Sequence, residues 1–385
     1  MVAPAIPVPV LLANAALLLA LAGLGYQLFT LGALLRFFAR PPPLAEVATP
    51  VSLLKPLHGA EPRLADNLAT CLATRHRGPV QLVCGVGAAD DGALVAARAV
   101  AAAHADADIA IHPGPRLPYA NAKIGNLAAM LPLARADTLV IADSDIAVTP
   151  EYLPMVLAAL AQPGVGVVSC LYVGRGDAGL WSQLGAAVVS WWMMPNMVMG
   201  VTTGVAQPCM GSTIALSRDT LARIGGFAGL ADTLADDYAI GARVAELGLQ
   251  VVVPPLLVTH ADAETSAAEL WRHHLRWAVT IRDLKPWGYL GSVITHPLAL
   301  ALIAALLHPA GRWVLAATVA ARVATALAVN RLAGRACAPL WLLPLGDLLG
   351  FATFIAAQFA RTIDWRGASL TMRGQGLIAP TEKRP

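Results

Sequence analysis

The 385-residue chain has few charged side chains: Asp, Glu, Lys and Arg make up 13% of it, while 57% is hydrophobic. Soluble domains are typically about 25% charged and about 45–50% apolar. The composition therefore argues against an ordinary soluble protein and favours a membrane protein with a soluble part. The net charge is only +3, and no basic stripe with interleaved aromatic residues occurs, so nucleic acid is not expected as a partner.

Cysteine is also scarce. The five cysteines are scattered, and none forms a C-x-x-C pair: Cys71, Cys84, Cys170, Cys209 and Cys337. This spacing argues against a zinc site or a disulfide framework. It is typical of small buried hydrophobic residues in a reducing compartment.

Long apolar runs stand at both ends of the chain. Residues 10–35 are almost continuously apolar, which is enough for one transmembrane helix, so 1–40 is predicted to be an N-terminal anchor. A cleaved signal peptide is the alternative, but no basic region precedes the run, and the run is long for one. Arg36 and Arg40 follow it, so the positive-inside rule predicts that the next domain is cytoplasmic.

Residues 45–285 alternate short apolar runs with helix-like stretches. This order predicts an α/β domain with a mostly parallel, Rossmann-like nucleotide-binding sheet. Within it, 180–200 is apolar and contains three tryptophans. We expect this segment to lie in the membrane interface, because a full crossing would separate the acidic residues on either side of it. An ordinary membrane crossing is the alternative.

About three transmembrane helices are predicted in 286–360, followed by a basic tail, 361–385. The apolar segments are 289–307, 313–330 and 340–359, with Arg331 and Arg335 between the last two. Three crossings would put the C-terminus outside, although the arginines of the tail favour the inside: Arg361, Arg366 and Arg373. Either the charge rule fails here or one segment is re-entrant.

Two carboxylates follow an apolar strand in "DTLVIADSDIAV". Asp143 and Asp145 are alternate residues, so their side chains can converge at the carboxyl end of the strand, where ligands bind in open α/β sheets. Hard divalent cations bind carboxylates together with substrate phosphates. The pair therefore suggests a metal and diphosphate site, and a solvated turn with a helix cap is the alternative.

A second acidic pair, Asp236 and Asp237, begins a predicted helix that ends near Gly248. Helix capping would explain one of these residues. A general base at the mouth of a cleft would explain the second.

A further predicted helix, "AELWRHHLRWAVTIRDL", carries Arg276 and Trp277 just before the membrane segments. Arg276 could neutralise a departing diphosphate, or it could be a snorkelling arginine of an interfacial helix. Lys123 and Asn126 lie in "NAKIGNL" at a probable helix start. They suit phosphate or base contacts, or simply a polar helix start.

The order of these motifs resembles processive-type family 2 glycosyltransferases. Whole blocks ("VSLLKPLHGAEPRLADNL", "NAKIGNL", "ADSDIAV", "LADDYAIGARVAELG", "HHLRW") look like ceramide glucosyltransferases of family 21 and their bacterial, hopanoid-associated branch. The resemblance covers roughly residues 10–375. It implies a GT-A fold facing the cytoplasm from the inner membrane, a UDP-sugar donor, Mg²⁺ or Mn²⁺, and a lipid hydroxyl acceptor.

Residue by residue, the resemblance makes Asp143 and Asp145 the metal and diphosphate ligands and Asp237 the general base. Arg276 and Trp277 would end the Q/R-x-x-R-W motif. The remaining residues would lie around the donor: Asp90, Asp91, Lys123, Asn126, Asp236 and His273. Three departures matter. "GVGAADDGA" leaves open whether Asp90 or Asp91 is the first-motif aspartate, Asp236 stands where Glu is usual, and His273 replaces Gln or Arg.

The predicted activity is therefore inverting transfer of a hexose from UDP-N-acetylglucosamine or UDP-glucose to a lipid, with a hopanoid polyol favoured over ceramide. A processive polysaccharide synthase is the rival enzyme. A membrane scaffold whose acidic turns are all helix caps is the rival without catalysis.

Overall fold

The structure is a computed structural model that describes residues 7–42, 47–205, 209–365, 368–372, 374 and 376–380. Arg366 and Arg373, two of the arginines of the predicted basic tail, lie outside these residues, as do 381–385.

In the described residues the helices, in chain order, are α1 (Val8–Phe38), α2 (Leu64–Thr70), α3 (Ala93–Ala103), α4 (Ala122–Met130), α5 (Tyr152–Leu160), α6 (Leu180–Val188), α7 (Met194–Thr203), α8 (Arg218–Arg223), α9 (Asp236–Glu246), α10 (Ala267–Leu284), α11 (Pro286–Gly291), α12 (Pro297–Leu307), α13 (Gly311–Leu332) and α14 (Leu343–Ala357). The strands are β1 (Val51–Leu57), β2 (Val80–Val86), β3 (Asp108–His112), β4 (Thr138–Ile141), β5 (Ile146–Ala147), β6 (Val165–Ser169), β7 (Leu171–Gly176), β8 (Ile214–Ser217), β9 (Gln250–Val252), β10 (Leu257–Asp262), β11 (Thr362–Trp365), β12 (Ala368–Met372) and β13 (Ile378–Pro380).

The main sheet has seven strands in the order β3-β2-β1-β4-β8-β6-β9. Its ladders are parallel except on both sides of β8, which runs antiparallel to β4 and β6. The expected α/β sheet is thus confirmed, with one reversed strand. β1 is buried along its whole length, as its unbroken apolar pattern predicts for a strand covered on both faces.

The chain reverses its direction of travel across the sheet between β1 and β4, and ligands bind at such a switch point. Lys55 of β1 is fully buried there, and its Nζ donates to the carbonyl oxygens of Asp143 and Ile146, each at 2.7 Å. A buried ammonium is tolerated only when its donors are satisfied. These two bonds fix the backbone of the turn that follows β4.

A small second sheet, β5-β10-β7, lies beside this turn. β10 is antiparallel to β5 and parallel to β7, and the register places His260 opposite Ile146. A third, antiparallel sheet is formed by β11, β12 and β13, which we call the C-terminal sheet.

The apolar segment 180–200 becomes α6, a π-helical turn at Val189–Met193, and α7. The chain enters it from β7 and leaves it towards β8, and β8 pairs with β6 in the main sheet. Both ends of the segment therefore adjoin strands of the two sheets. About two thirds of its most apolar stretch is buried inside the protein, and Trp191 is fully buried.

Within the described residues, four helical segments are long and apolar enough to cross a membrane: α1, α6–α7, α13, and the stretch that begins at Leu340 and includes α14. A fifth candidate is α11 with its 3₁₀ extension followed by α12, but these two parts are bent by 63° at His296. The region in which about three transmembrane helices are predicted therefore contains one broken helix, which is either a bent span or the re-entrant segment that the sequence left open.

The end of α13 and the connection to α14 contact β7 of the second sheet and the segment that follows it. Arg335 Nη2 donates to the carbonyl oxygen of Gly174 in β7 at 3.0 Å, and Trp191 Nε1 donates to Oδ1 of Asn330 at 3.1 Å. At the other end of α14, Arg282 of α10 donates to the carbonyl oxygen of Ala357. The segments on both sides of α14 are thus held by residues outside the C-terminal apolar helices.

Candidate active site

Lys123 lies at the centre of the acidic residues. Its Nζ is 2.8 Å from Oδ1 of Asp143 and 3.2 Å from Oδ2 of Asp236. Asn121, the N-cap of α4, accepts from the N–H of Lys123 at 2.9 Å and donates to Oδ1 of Asp236 at 3.2 Å. Burial lowers the pKa of Lys123, but the carboxylates of Asp143 and Asp236 raise it above its ordinary value. The ammonium group therefore stays charged and joins the two predicted acidic motifs.

Asp145 faces a different partner. Its Oδ2 is 3.3 Å from Nε2 of His260, whose Nδ1 is 3.4 Å from Oδ2 of Asp262. Burial raises the pKa of Asp145, but His260 outweighs it and lowers that pKa to about 2. Burial lowers the pKa of His260, and the two carboxylates raise it well above its usual range. Asp145 is thus ionised beside an imidazolium, and His260 must lose a proton before it can bind a metal ion.

Asp237 begins α9. Its Oδ2 accepts from the backbone N–H of Gly211 at 3.0 Å, and its Oδ1 accepts from the N–H of Tyr238 at 2.7 Å. Burial and the neighbouring carboxylate of Asp236 raise the pKa of Asp237 to about 6. A carboxylate with that pKa can accept a proton near neutral pH.

The two first-motif candidates differ in their surroundings. Oδ1 of Asp91 accepts from the N–H groups of Gly59 at 2.7 Å and Ala93 at 2.9 Å, and its Oδ2 is 3.1 Å from His58. Asp90 is exposed. Asp91 therefore holds the loop after β1 against the start of α3, and a contact with the nucleotide stays a prediction for either residue.

Asn126 is buried on α4, where its Nδ2 donates to the carbonyl oxygen of Gly85 at 2.8 Å and to that of Leu57 at 3.4 Å. These bonds tie α4 to the carboxyl ends of β2 and β1. Its Oδ1 has no hydrogen-bond partner among the described residues.

On α10, the His273 ring lies edge-on to the Trp277 ring, with ring centroids 4.2 Å apart. Nδ1 of His273 is paired with Oε1 of Glu264. Burial raises the pKa of Glu264, and His273 lowers it to about 2. The carboxylate thus fixes the orientation of the imidazole ring.

One cavity of about 1570 Å³ connects these groups. Nine of the predicted site residues line it: Lys123, Asn126, Asp143, Asp145, Asp236, Asp237, His273, Arg276 and Trp277. Asp90 and Asp91 are not among the described residues that line it. The sequence reasoning missed several lining residues, including Tyr172, Gly211, His260 and Glu264. The only local signal for His260 is its place at the end of the apolar run "LLVTH".

Apolar residues of the helices also line the cavity, among them Met193, Met197, Gly200, Leu284 and Tyr289. Large apolar side chains at the rim are open to the surroundings: Val205 is 87% exposed and Trp287 is 83% exposed. Exposed apolar patches of this kind mark membrane or ligand contacts.

Asp145 and His260 together fit a divalent cation. Asp145 Oδ1 is buried without a hydrogen-bond partner, and a carboxylate oxygen with an imidazole nitrogen suits Mn²⁺. Oδ2 of Asp262 lies 3.4 Å from Nδ1 of His260, where a carboxylate supports a ligating histidine. In the described part of the chain, no three His, Cys, Asp or Glu side chains come close enough to hold a metal by themselves. Substrate phosphate oxygens would have to complete the coordination.

Comparison with known proteins identifies this chain. Residues 15–378 match the family model described as glycosyl transferase family 21. The chain belongs to this family. It is therefore a glycosyltransferase, and the family named from the sequence blocks is confirmed.

One of two similar solved structures supports the fold. The mannosyltransferase PcManGT from Pyrobaculum calidifontis, solved with GDP-Man and Mn²⁺, is 24% identical, covers 90% of this chain and 97% of its own, and has a TM-score of 0.53. Glucosyl-3-phosphoglycerate synthase from Mycobacterium tuberculosis, solved with Mn²⁺ and UDP-glucose, is 17% identical over 63% of this chain and 84% of its own, with a TM-score of 0.42. The similarity to PcManGT supports a GT-A-like fold for this family 21 enzyme.

Proposed function

We propose that this family 21 enzyme transfers a hexose from a UDP-sugar to the hydroxyl group of a lipid, with inversion at the anomeric carbon. Residues 45–285 would form the catalytic domain on the cytoplasmic face of the inner membrane. The observation that carries this proposal is that Lys123 and Asp145 line the same cavity as apolar helix residues such as Met197 and Leu284. Such a cavity can hold a polar donor and an apolar acceptor together.

Asp237 is the proposed general base. The N–H of Gly211 holds its Oδ2 in place, and the raised pKa keeps its affinity for a proton near the working pH. It takes the proton from the lipid hydroxyl as the oxygen attacks, and a general base typically contributes about 10²–10⁴-fold. With one base and one in-line displacement, an α-linked sugar donor gives a β-glycoside.

The positive side chains of the cavity are assigned to the diphosphate. Lys123 and Arg276 both line the cavity, and guanidinium groups bind phosphate oxygens in a bidentate way. Trp277 would form a wall of the sugar or acceptor pocket. Asp145 and His260 would hold Mg²⁺ or Mn²⁺, and Asp143 stays a predicted ligand. When bound, this cation supplies positive charge to the departing UDP.

The proposed acceptor is a hopanoid polyol with UDP-N-acetylglucosamine as donor, because the sequence blocks resemble the bacterial hopanoid-associated branch of the family. Ceramide with UDP-glucose is the second candidate, and the family 21 match supports it. Both acceptors present a hydroxyl group at the membrane surface while their apolar part stays in the bilayer.

The test is a transfer assay with the purified full-length protein in lipid. Radiolabelled UDP-N-acetylglucosamine and UDP-glucose are each offered with a hopanoid polyol and with ceramide, in the presence of Mn²⁺ or EDTA. We expect one labelled lipid product, with the hopanoid and UDP-N-acetylglucosamine, and its loss in EDTA. Long polymer in place of a glycolipid would instead identify a processive synthase.

Asp237→Asn keeps the size of the side chain and removes the base, so kcat should fall about 10²–10⁴-fold. Asp219→Asn is the matched control, because Asp219 is 77% exposed on α8, outside the cavity. Wild-type kcat in Asp237→Asn would disprove the assigned base. No transfer to either lipid would disprove the proposed acceptors.

A further inference from the structure

The C-terminal sheet contacts the loop that leads into the catalytic helix α9. The carbonyl oxygen of Gly376 accepts from the N–H of Leu234 at 2.9 Å, and Leu377 forms a β-bridge with Thr233. Leu234 is only two residues before Asp236. The last described strand region of the chain is thus hydrogen-bonded to the segment that positions both acidic residues.

The same loop is connected to the acidic centre from the other side. Nδ2 of Asn121 donates to the carbonyl oxygen of Thr233 at 2.7 Å and to Asp236 at 3.2 Å. The backbone N–H of Asn121 donates to the carbonyl oxygen of Ala231 at 2.8 Å. Oδ2 of Asp236 in turn lies 3.2 Å from Nζ of Lys123. A displacement of the loop would therefore move the side chains around the proposed base.

Gly376 itself is held by α10. Its N–H donates to Oδ2 of Asp283 at 2.9 Å, and its φ of +76° is a conformation that L side chains rarely adopt. A Cβ at this position would lie 3.0 Å from Cδ2 of Leu284, a residue that lines the cavity. Asp283 thus places the carbonyl group of Gly376 against Leu234. A side chain at position 376 would require Leu284 to shift.

We propose that the C-terminal sheet is a positioning element of the catalytic centre. Asp283 and the backbone of Gly376 hold Leu234 and so fix Asp236 and Asp237 at the start of α9. The catalytic part of this inference rests on the proposed role of Asp237. Asp283 does not touch the substrate: it acts on the reaction through the backbone of Gly376 and Leu234.

The test compares Asp283→Ala with Asp283→Asn in the full-length protein. Alanine removes the acceptor for the Gly376 N–H, whereas the Asn side-chain oxygen can replace it. We expect Asp283→Ala to lower kcat about ten- to a hundred-fold, because small misplacements of catalytic groups have effects of that size. The donor KM should change less than about twofold, since the donor-binding groups stay in place, and Asp283→Asn should restore most of kcat. Asp219→Ala is the matched surface control.

Hydrogen exchange measures the positioning directly. The Leu234 amide should exchange faster in Asp283→Ala than in the wild type and in Asp283→Asn. A chain that ends at Met372, and so lacks Gly376, should reproduce the Asp283→Ala defect, and combining the two changes should add no further loss. Additive losses would overturn the proposal. Equal Leu234 exchange in Asp283→Ala and Asp283→Asn would also overturn it.

Hydrogen exchange does not depend on the substrate. If the wild type transferred sugar to neither lipid, the proposed function would fail, while the exchange of Leu234 would still decide whether Asp283 holds the loop. Conversely, active wild-type enzyme with wild-type kcat in Asp283→Ala would reject the positioning role alone.

Discussion

Lys123→Met should shift the acid limb of the kcat–pH profile to higher pH without changing the shape of that limb. Nζ of Lys123 and Oδ2 of Asp237 lie 3.3 and 3.6 Å from the position that a Cβ on Gly211 would take. These two atoms are therefore at most about 7 Å apart, where a unit charge contributes about 2.4 kcal/mol at an effective dielectric constant of about 20. That energy corresponds to about 1.7 pKa units.

The direction of the change follows from the role of the base. Lys123 lowers the pKa of Asp237, which is about 6, so loss of the ammonium group raises this pKa. Asp237 must be ionised to accept a proton, and the acid limb of the kcat profile should therefore move up to about pH 7.5–8. When each enzyme is normalised to its own kcat at pH 9, the variant should be about tenfold lower than the wild type at pH 6.5 and close to it at pH 8.5.

The assay is kcat at saturating donor and Mn²⁺ from pH 5 to 9. Lys123→Arg keeps the positive charge and is the matched control, whose acid limb should stay at its wild-type position. An acid limb for Lys123→Met that coincides with that of the wild type would refute the electrostatic reasoning. A loss of activity that is equal at every pH would show that Lys123 acts only through substrate binding.

Three further predictions concern other parts of the molecule. His260→Ala should raise the Mn²⁺ concentration for half-maximal activity at least tenfold, because loss of a group that supports a metal site typically lowers metal affinity 10–100-fold. A titration of activity with Mn²⁺ measures this concentration. Gly211→Ala should lower kcat at least tenfold, because its Cβ would lie 2.9 Å from Oδ2 of Asp143. The circular dichroism spectrum should stay that of the wild type, and a wild-type kcat in this folded variant would contradict the prediction. Arg322→Met should destabilise the helix bundle by about 3–5 kcal/mol, because it leaves Asp347 buried and unpaired. Thermal unfolding in detergent should show that adding Asp347→Leu recovers most of this loss.

The elements around the site could be predicted where the local pattern is strong. The run before Asp143 forms the buried strand β4, and the acidic pair at Asp236 and Asp237 begins α9 as the helical spacing indicates. Strand and helix periodicity act over a few residues, so the sequence shows them directly. The reversal of β8 depends on pairing between segments far apart in the chain, which no local pattern contains.

His260 shows why part of the site could not be predicted. His260 lies beside Asp145, although 115 positions separate the two residues in the chain. They meet because β10 pairs antiparallel with β5, which places His260 opposite Ile146. Nothing near His260 in the sequence specifies that register. The segment 180–200 has the same difficulty, because a helix buried in protein and a helix facing lipid can have equal hydropathy.

The contact between Arg335 and Gly174 restricts how the chain can be threaded through a bilayer. It ties the end of α13 to β7 of the second sheet, and the bond between Leu234 and Gly376 ties the C-terminal sheet to the loop before α9. If the sheets lie on one side of a bilayer, the number of crossings between each pair of these points must be even. The broken helix α11–α12 and α13 would then form one hairpin of two crossings, and α14 would not cross the membrane.

With α1 as a further crossing, this threading would have three crossings. Arg40, Arg331, Arg335 and Arg361 would then share one side of the membrane, and Arg312, beside the hairpin turn, would lie on the other. In such a threading the tail arginines would no longer conflict with the positive-inside rule, because no odd crossing would separate the tail from the sheets.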